Sequence, residues 1–406
     1  MKKIILFLLL TVTLNFYGQI HIEGTVISEN NLPIESASVY LNNTTIGTTT
    51  NKNGAFKLQL KPGTYELIIS YLGFQTIKYT IDAENYTKPK IFKLLTETNF
   101  LDEVIVKKIV YDDDWKYNLS RFKKAFLGRT ELAKNCKLLN PKTLSFEFNA
   151  KTGILTAQAK EPIEILNKGL GYLVTFDLVD FSLGRELVTY TGHTKYQQLK
   201  GSKGSKNSVK KNRLKAYNGS TMHFTRSLYN LNSKKEGFVI NQFKRVPNPE
   251  RPSEEEIKKA RELAQLSNVN QYTKINIVNP KTIVDSAYVI LDKVSLPKYK
   301  DYLYLRDVPY NNMVVKRKDS TTLLKFNNYL SITYTLEKEE SNYLIGTFKK
   351  KKASGVQTSA ITMTTNTAII EPSGYLVDPL AIFSEGYWSY EKFADLLPLD
   401  YFPTKD

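Results

Sequence analysis

Residues 47–74 read GTTTNKNGAFKLQLKPGTYELIISYLGF, two turn signals set between alternating apolar and polar runs. Asn53-Gly54 suits a tight hairpin, because glycine takes the positive φ such a turn requires. The run Ala55 to Leu60 follows with a period of two. Lys61-Pro62-Gly63 is the next turn, its proline presetting φ, and it leads into a strand from Tyr65 to Ser70. Toward the N-terminus, Ile20, Ile22, Gly24 and Val26 alternate in a first strand. Asn30-Asn31 with Pro33 turns the chain, and Ala37, Val39 and Leu41 share one face of a second. Strands recurring every ~8–12 residues are the pattern of an all-β sandwich. A sandwich is therefore expected over residues 19–98.

This stretch resembles the carboxypeptidase-regulatory-like domain, a seven-stranded, transthyretin-like sandwich with a carbohydrate-binding-like fold. Gly47, Thr48, Thr49, Gly54 and Phe56 match that family's Gly-Thr-Thr-x-x-x-x-Gly-x-Phe segment. Pro62, Gly63 and Tyr65 match its Pro-Gly-x-Tyr turn, and Leu72-Gly73-Phe74 follows the same pattern. Ser36 departs, standing where the family often has glycine. The segment LTETNFLDEVIVKK after the last strand is similar to the one that follows such domains in TonB-dependent outer-membrane transporters of the Bacteroidetes. The remaining ~300 residues lack the serial ~10-residue amphipathic strands of a barrel, so a transporter is not expected.

Ahead of the sandwich, residues 1–18 read as a secretory signal: Lys2 and Lys3 precede an apolar run from Ile4 to Leu14 that is too short for a bilayer, which needs ~20 residues. An exported protein is expected, in the periplasm or at the outer membrane of a Gram-negative bacterium, with no transmembrane segment after cleavage. Cys136 is the single cysteine, which leaves no lipobox and no intramolecular disulfide. Hydrophobic residues make up 41% and aromatics 12%, a strand-favouring globular composition. The net charge of +17 gives a surface that attracts anions.

Residues 99–111 read as a linker and 112–406 as a larger β-rich region with a few short helices. Trp115, Leu119, Phe122 and Phe126 fall on one helical face, with Asp112, Asp113 and Asp114 at its positive end. Ser253 and Glu256 form a capping box before a second helix. Strands are expected at 144–148, 154–158, 172–176, 288–294, 303–308, 328–336 and 343–348, with residues 349–352 as a basic turn. A short C-terminal helix should be broken by Pro398. This region is similar to the C-terminal part of secreted Bacteroidetes proteins that carry the regulatory-like domain, on stretches such as ILNKGLGYLVTFDLVDF, NGSTMHFTRSLYNLNSKKEGF and GYWSYEKFADLLPLDYFP. The resemblance implies no activity.

Catalytic constellations are sparse. His21, His193 and His223 are widely separated and lack the paired spacing of a zinc peptidase. Ser-x-x-Lys occurs at Ser120, Ser208, Ser295 and Ser389, but the one Lys-Thr-Gly, at 151–153, lies only about 30 residues after Ser120 and in a turn. No catalytic residue, metal or cofactor is expected. The segment 199–215, with Lys200, Lys203, Lys206, Lys210, Lys211, Arg213 and Lys215, reads as a solvated hairpin loop. Those seven side chains are candidates for an anion-attracting surface; without aromatics between them, nucleic acid is not expected. Tyr375, Phe383, Tyr387, Trp388, Tyr390 and Phe393 form an aromatic cluster. Tyr387, Trp388 and Tyr390 could supply a sugar-stacking platform, although aromatics at such density near a chain terminus are more often the closing seam of a core. The expected role is non-catalytic, binding an envelope protein or a glycan, with an unrecognised enzyme in 112–406 or an outer-membrane assembly factor as alternatives.

Overall fold

The computed structural model describes residues 20–96, 109–185, 187–201, 203–266, 280–319, 321–344 and 355–404. The expected signal sequence, most of the expected linker and the basic turn expected at 349–352 lie outside them.

Seven strands build the N-terminal sandwich, divided between two sheets. One sheet has the order β4 (Ala55–Leu60), β1 (Ile20–Ile27), β7 (Lys90–Lys93); the other has β3 (Gly47–Thr49), β2 (Ser38–Leu41), β5 (Thr64–Ser70), β6 (Ile77–Asp82). β1 runs antiparallel to β4 and parallel to β7. Ile22, Val26, Leu58 and Phe92 from the first sheet meet Val39, Leu41, Leu67 and Ile69 from the second, as alternation along each strand dictates. Gly54 has φ 70°, and a Cβ there would sit 2.3 Å from the Val26 carbonyl oxygen, so only glycine fits the turn.

Behind the sandwich, α1 (Asp113–Phe126) opens with Asp112 accepting from the Trp115 amide. It lays Leu119, Phe122 and Phe126 on a six-stranded sheet. That sheet has the order β8 (Cys136–Leu138), β11 (Ile163–Asn167), β12 (Tyr172–Leu183), β10 (Ile154–Ala159), β9 (Leu144–Asn149), with β13 (Val188–Gln198) pairing along the other side of β12. A second core forms under a five-stranded sheet, β15 (Tyr299–Leu305), β14 (Phe238–Pro247), β18 (Tyr329–Lys338), β19 (Val356–Met363), β21 (Ile382–Gly386). A three-stranded sheet, β16 (Val314–Lys316), β17 (Thr322–Leu324), β20 (Ala368–Ile370), closes it, and Phe224, Leu228 and Trp388 fill it.

Several expectations need correcting. The segment 199–215 is no hairpin loop: α2 spans Lys203–Tyr217. Its charges obscured a packing stripe of Val209, Arg213, Ala216 and Tyr217 at helical spacing. Arg213 donates to the Leu170 carbonyl at 2.8 Å and lies 4.0 Å from the Tyr172 ring centroid, while Ala216 and Tyr217 are buried. Residues 288–294 are no strand: α5 (Ile283–Asp292) packs against α4 (Glu254–Leu266). Its β-branched composition suggested extension, but a capping box between Thr282 and Asp285 sets the helix start. The strand expected from Tyr343 begins instead as a 3₁₀ turn at Ser341–Leu344, the rest lying outside the described residues. The C-terminus holds a single helical turn, α6 (Tyr387–Tyr390), and a 3₁₀ turn at Phe393–Asp395, well before Pro398.

A candidate binding cleft between the sandwich and the C-terminal region

The loop between β2 and β3 carries the sandwich onto the second region through backbone bonds. Asn43 N–H donates to the Thr194 carbonyl at 2.8 Å, and Tyr196 N–H donates to the Thr44 carbonyl at 3.0 Å. The Asn42 side chain, itself buried, accepts from Thr194 N–H at 2.7 Å and donates to Glu66 at 2.5 Å. On the tail, Leu399 N–H donates to the Asn43 carbonyl at 2.7 Å, and Asp400 accepts from Thr45 N–H at 2.9 Å.

Beside this seam lies a cleft of about 820 Å³. The sandwich supplies Asn42 and the strand-turn-strand 59–66, including Lys61, Tyr65 and Glu66. The other region supplies Asn230, Glu371, Tyr375, Asp400 and Phe402. This volume lies in the range of small-ligand sites.

The far wall is set by α3 (Thr221–Tyr229), which Ser220 caps by accepting from His223 N–H at 3.2 Å. From it, Arg226 reaches into the fold, 4% exposed, with no ion pair to a carboxylate among the described residues. Its guanidinium donates to three carbonyls: Ser373 at 2.8 Å, Tyr401 at 2.8 Å and Leu399 at 2.9 Å. It also lies 4.3 Å from the Phe402 ring centroid. Thr225 donates to the Gly374 carbonyl at 2.6 Å. One helix thereby fixes both the 371–375 loop and the 399–402 tail.

Glu371 is half-buried in the cleft, and no described side chain pairs with its carboxyl. Burial, with the charge of Asp82 adding to it, holds that carboxyl above the usual range. The Tyr375 phenol is pushed up to about 12 by burial first and by Glu66 and Asp378 second. The cleft thus sets ring faces beside hydrogen-bonding amide and carboxyl groups, with Lys61 held over the Phe402 ring at 5.2 Å.

Of the residues singled out from sequence, Tyr375 lines this cleft. Tyr387, Trp388 and Tyr390 are 3%, 7% and 7% exposed. Trp388 donates to the Gly219 carbonyl at 2.7 Å and packs on Phe224, and Tyr387 and Tyr390 lie against each other and Tyr343. All three are buried, with Tyr390 contributing to the lining of an open hollow. Phe393 stacks on Phe126 in the first core, and Phe383 is exposed on β21. Among the lysine-rich candidates, Arg213 is engaged as described and Lys215 pairs with Glu340 at 2.8 Å. Lys200, Lys206, Lys210 and Lys211 are exposed, and the Lys203 side chain lies outside the described residues.

The histidines have structural surroundings. His223 accepts from Gly219 N–H at 3.2 Å and contacts Glu236 at 3.2 Å; His193 lies 3.9 Å from Glu66 at the seam, and burial lowers its pKa. Glu371, Asp400, Phe402 and Arg226 were missed by sequence reasoning. They come from three separate segments, around Arg226, Glu371 and the tail with Asp400 and Phe402, and no local motif joins the three.

Residues 22–106 match the CarboxypepD_reg-like domain. That stretch is a carboxypeptidase-regulatory-like domain. The match leaves residues 107–406 outside it. A curated relative, TonB-dependent receptor P39 of Formosa agariphila, is 32% identical over 92 residues, covering 23% of this chain and 9% of the receptor. The chain spans a small part of that relative's length. Among solved structures, a DUF3823 family protein from Bacteroides ovatus aligns over 45% of this chain and 83% of its own, at 9% identity and a TM-score of 0.17. A 9R-lipoxygenase from Cyanothece PCC8801 aligns over 54% and 49%, at 10% identity and a TM-score of 0.16. Neither is close enough to bear on this chain's fold.

Proposed function

We propose that the protein is an exported, non-catalytic accessory protein of a Gram-negative cell envelope, and that it binds a glycan in the cleft between its regulatory-like domain and its C-terminal region. The cleft carries this reading. Tyr65, Tyr375 and Phe402 offer rings on which the apolar face of a sugar can lie, and Asn230 and Glu371 offer donors and acceptors for its hydroxyls. The envelope setting draws support from the apolar, lysine-led N-terminus and from the likeness of the domain to part of a TonB-dependent receptor. Among the described residues no helix is long and apolar enough to cross a membrane.

Titration calorimetry of the purified protein against envelope oligosaccharides tests the reading. Saturable binding that falls about tenfold in Tyr65→Ala/Tyr375→Ala, a loss of ~1.4 kcal/mol, is the expected result. Binding unchanged by those substitutions, or no binding to any envelope glycan, sinks it.

A second reading rests on Glu371. A carboxyl whose pKa burial raises, in a cleft that the Asp400 side chain also lines, would suit a general acid. Release of reducing ends from the bound glycan, abolished by Glu371→Gln, would replace the accessory role with an enzymatic one.

A further inference from the structure

On a different face, where α1 ends, an open hollow of about 350 Å³ is lined by Arg121, Lys124, Gly128, Arg129, Tyr390 and Lys392 among others, with no acidic side chain in its lining. Its cations come from three places: Arg121 and Lys124 from the last turns of α1, Arg129 from the residue after Gly128, and Lys392 from the loop after α6. The backbone brings them together. Gly128 has φ 96°, and a Cβ there would approach Lys392 Cβ to 3.0 Å, so the glycine lets the lysine stem lie across the helix end.

None of these cations is neutralised by an ion pair within the described residues. Arg121 lies over the rings of Phe148 and Tyr117, at 5.1 and 5.8 Å from their centroids, which holds the guanidinium without cancelling its charge. Lys392 is half-buried, and burial lowers its ammonium pKa with no carboxylate opposing the shift. Acids around the hollow are engaged or held toward their neutral form: Glu340 pairs with Lys215 and accepts from Tyr390 at 3.1 Å, Asp395 accepts from Thr130 and from Lys392 N–H, each at 3.1 Å, and burial raises the pKa of Glu391 well above the usual range. Holding four like charges around one concavity is unfavourable unless an anion joins them.

We propose that this hollow is a binding site for a phosphate group, presented by a phosphorylated small molecule or by a lipid headgroup. Two guanidinium forks and two ammonium groups suit a multiply charged oxyanion, and the hollow is larger than phosphate alone, leaving room for what the phosphate is attached to. The site is separate from the cleft, and either can fail without the other.

The test is calorimetry of the full-length protein with inorganic phosphate, alongside cosedimentation with phosphatidylcholine vesicles with and without phosphatidic acid. Saturable phosphate binding is expected, weakened about tenfold in Arg129→Gln/Lys392→Gln and unchanged in Lys206→Gln/Lys211→Gln on α2. Should the first pair fail to fold, Lys124→Gln, an exposed position, takes its place with a smaller expected loss. Vesicle binding that requires phosphatidic acid assigns the phosphate to a lipid; phosphate binding without it assigns a soluble ligand. Equal losses in the hollow and α2 variants, or no binding to either probe, overturn the proposal.

Discussion

Arg226 is the residue on which the cleft wall depends. A buried guanidinium shared among three carbonyls is held by those hydrogen bonds and by the Phe402 ring, so its removal leaves the carbonyls unpaired as well as opening a void. Arg226→Ala should cost about 3 kcal/mol or more in urea unfolding and weaken cleft binding together with it. Asp395 makes a different prediction. Burial pushes its carboxyl up to about 7 from 3.8, against the lowering effect of the Lys392 N–H and Thr130 bonds. The folded chain therefore holds a proton that the unfolded chain has released. Its contribution is full below about pH 4 and is lost as the pH rises toward 7. In Asp395→Asn the thermal midpoint should fall less than the wild type's between pH 4 and 8; parallel profiles would show that Asp395 does not titrate in this range. Neither role could be read locally, because Asp395 bonds to Thr130 and Arg226 to Ser373, Leu399 and Tyr401, all distant in the chain.

At the scale of elements, legibility followed local punctuation. The sandwich strands were readable because Asn53-Gly54 and Pro62-Gly63 fix their turns, and α1 because Asp112 precedes a clean apolar stripe. Asp112→Ala should cost about 1 kcal/mol, seen as a lower urea midpoint, since it leaves the Trp115 amide without its acceptor. α5 was misread because valine and isoleucine favour extension on average, whereas its capping box and its packing on α4 decide otherwise. α2 was misread because lysine, serine and glycine mask a stripe whose anchor is an arginine. The signal was present in the spacing of Val209, Arg213 and Tyr217; giving Arg213 the status of a packing residue would have found it.

Across the whole molecule, the regulatory-like domain is fastened to its neighbour by main-chain bonds from one loop, and the cleft exists only because that loop docks. Cleft residues come from 42–46, 59–66, 371–377 and 399–402, together with Thr80 and Asn230. Their convergence is a tertiary fact that no window of sequence contains. Asn42 serves both sides of the seam, so Asn42→Ala should split a single calorimetric unfolding transition into two and abolish cleft binding while the sandwich stays folded. The parallel pairing of β1 with β7 has a mechanical consequence. Tension applied at Ile20 and Lys93 pulls the two strands lengthwise in opposite directions, so the bonds between Gly24–Ile27 and Lys90–Lys93 are loaded together in shear instead of being unzipped one at a time. A domain joined in this way resists tension applied between Ile20 and Lys93. Single-molecule stretching between those positions should give a higher unfolding force than stretching between Ile20 and Leu60, which starts at one end of the antiparallel β1–β4 ladder and peels it apart.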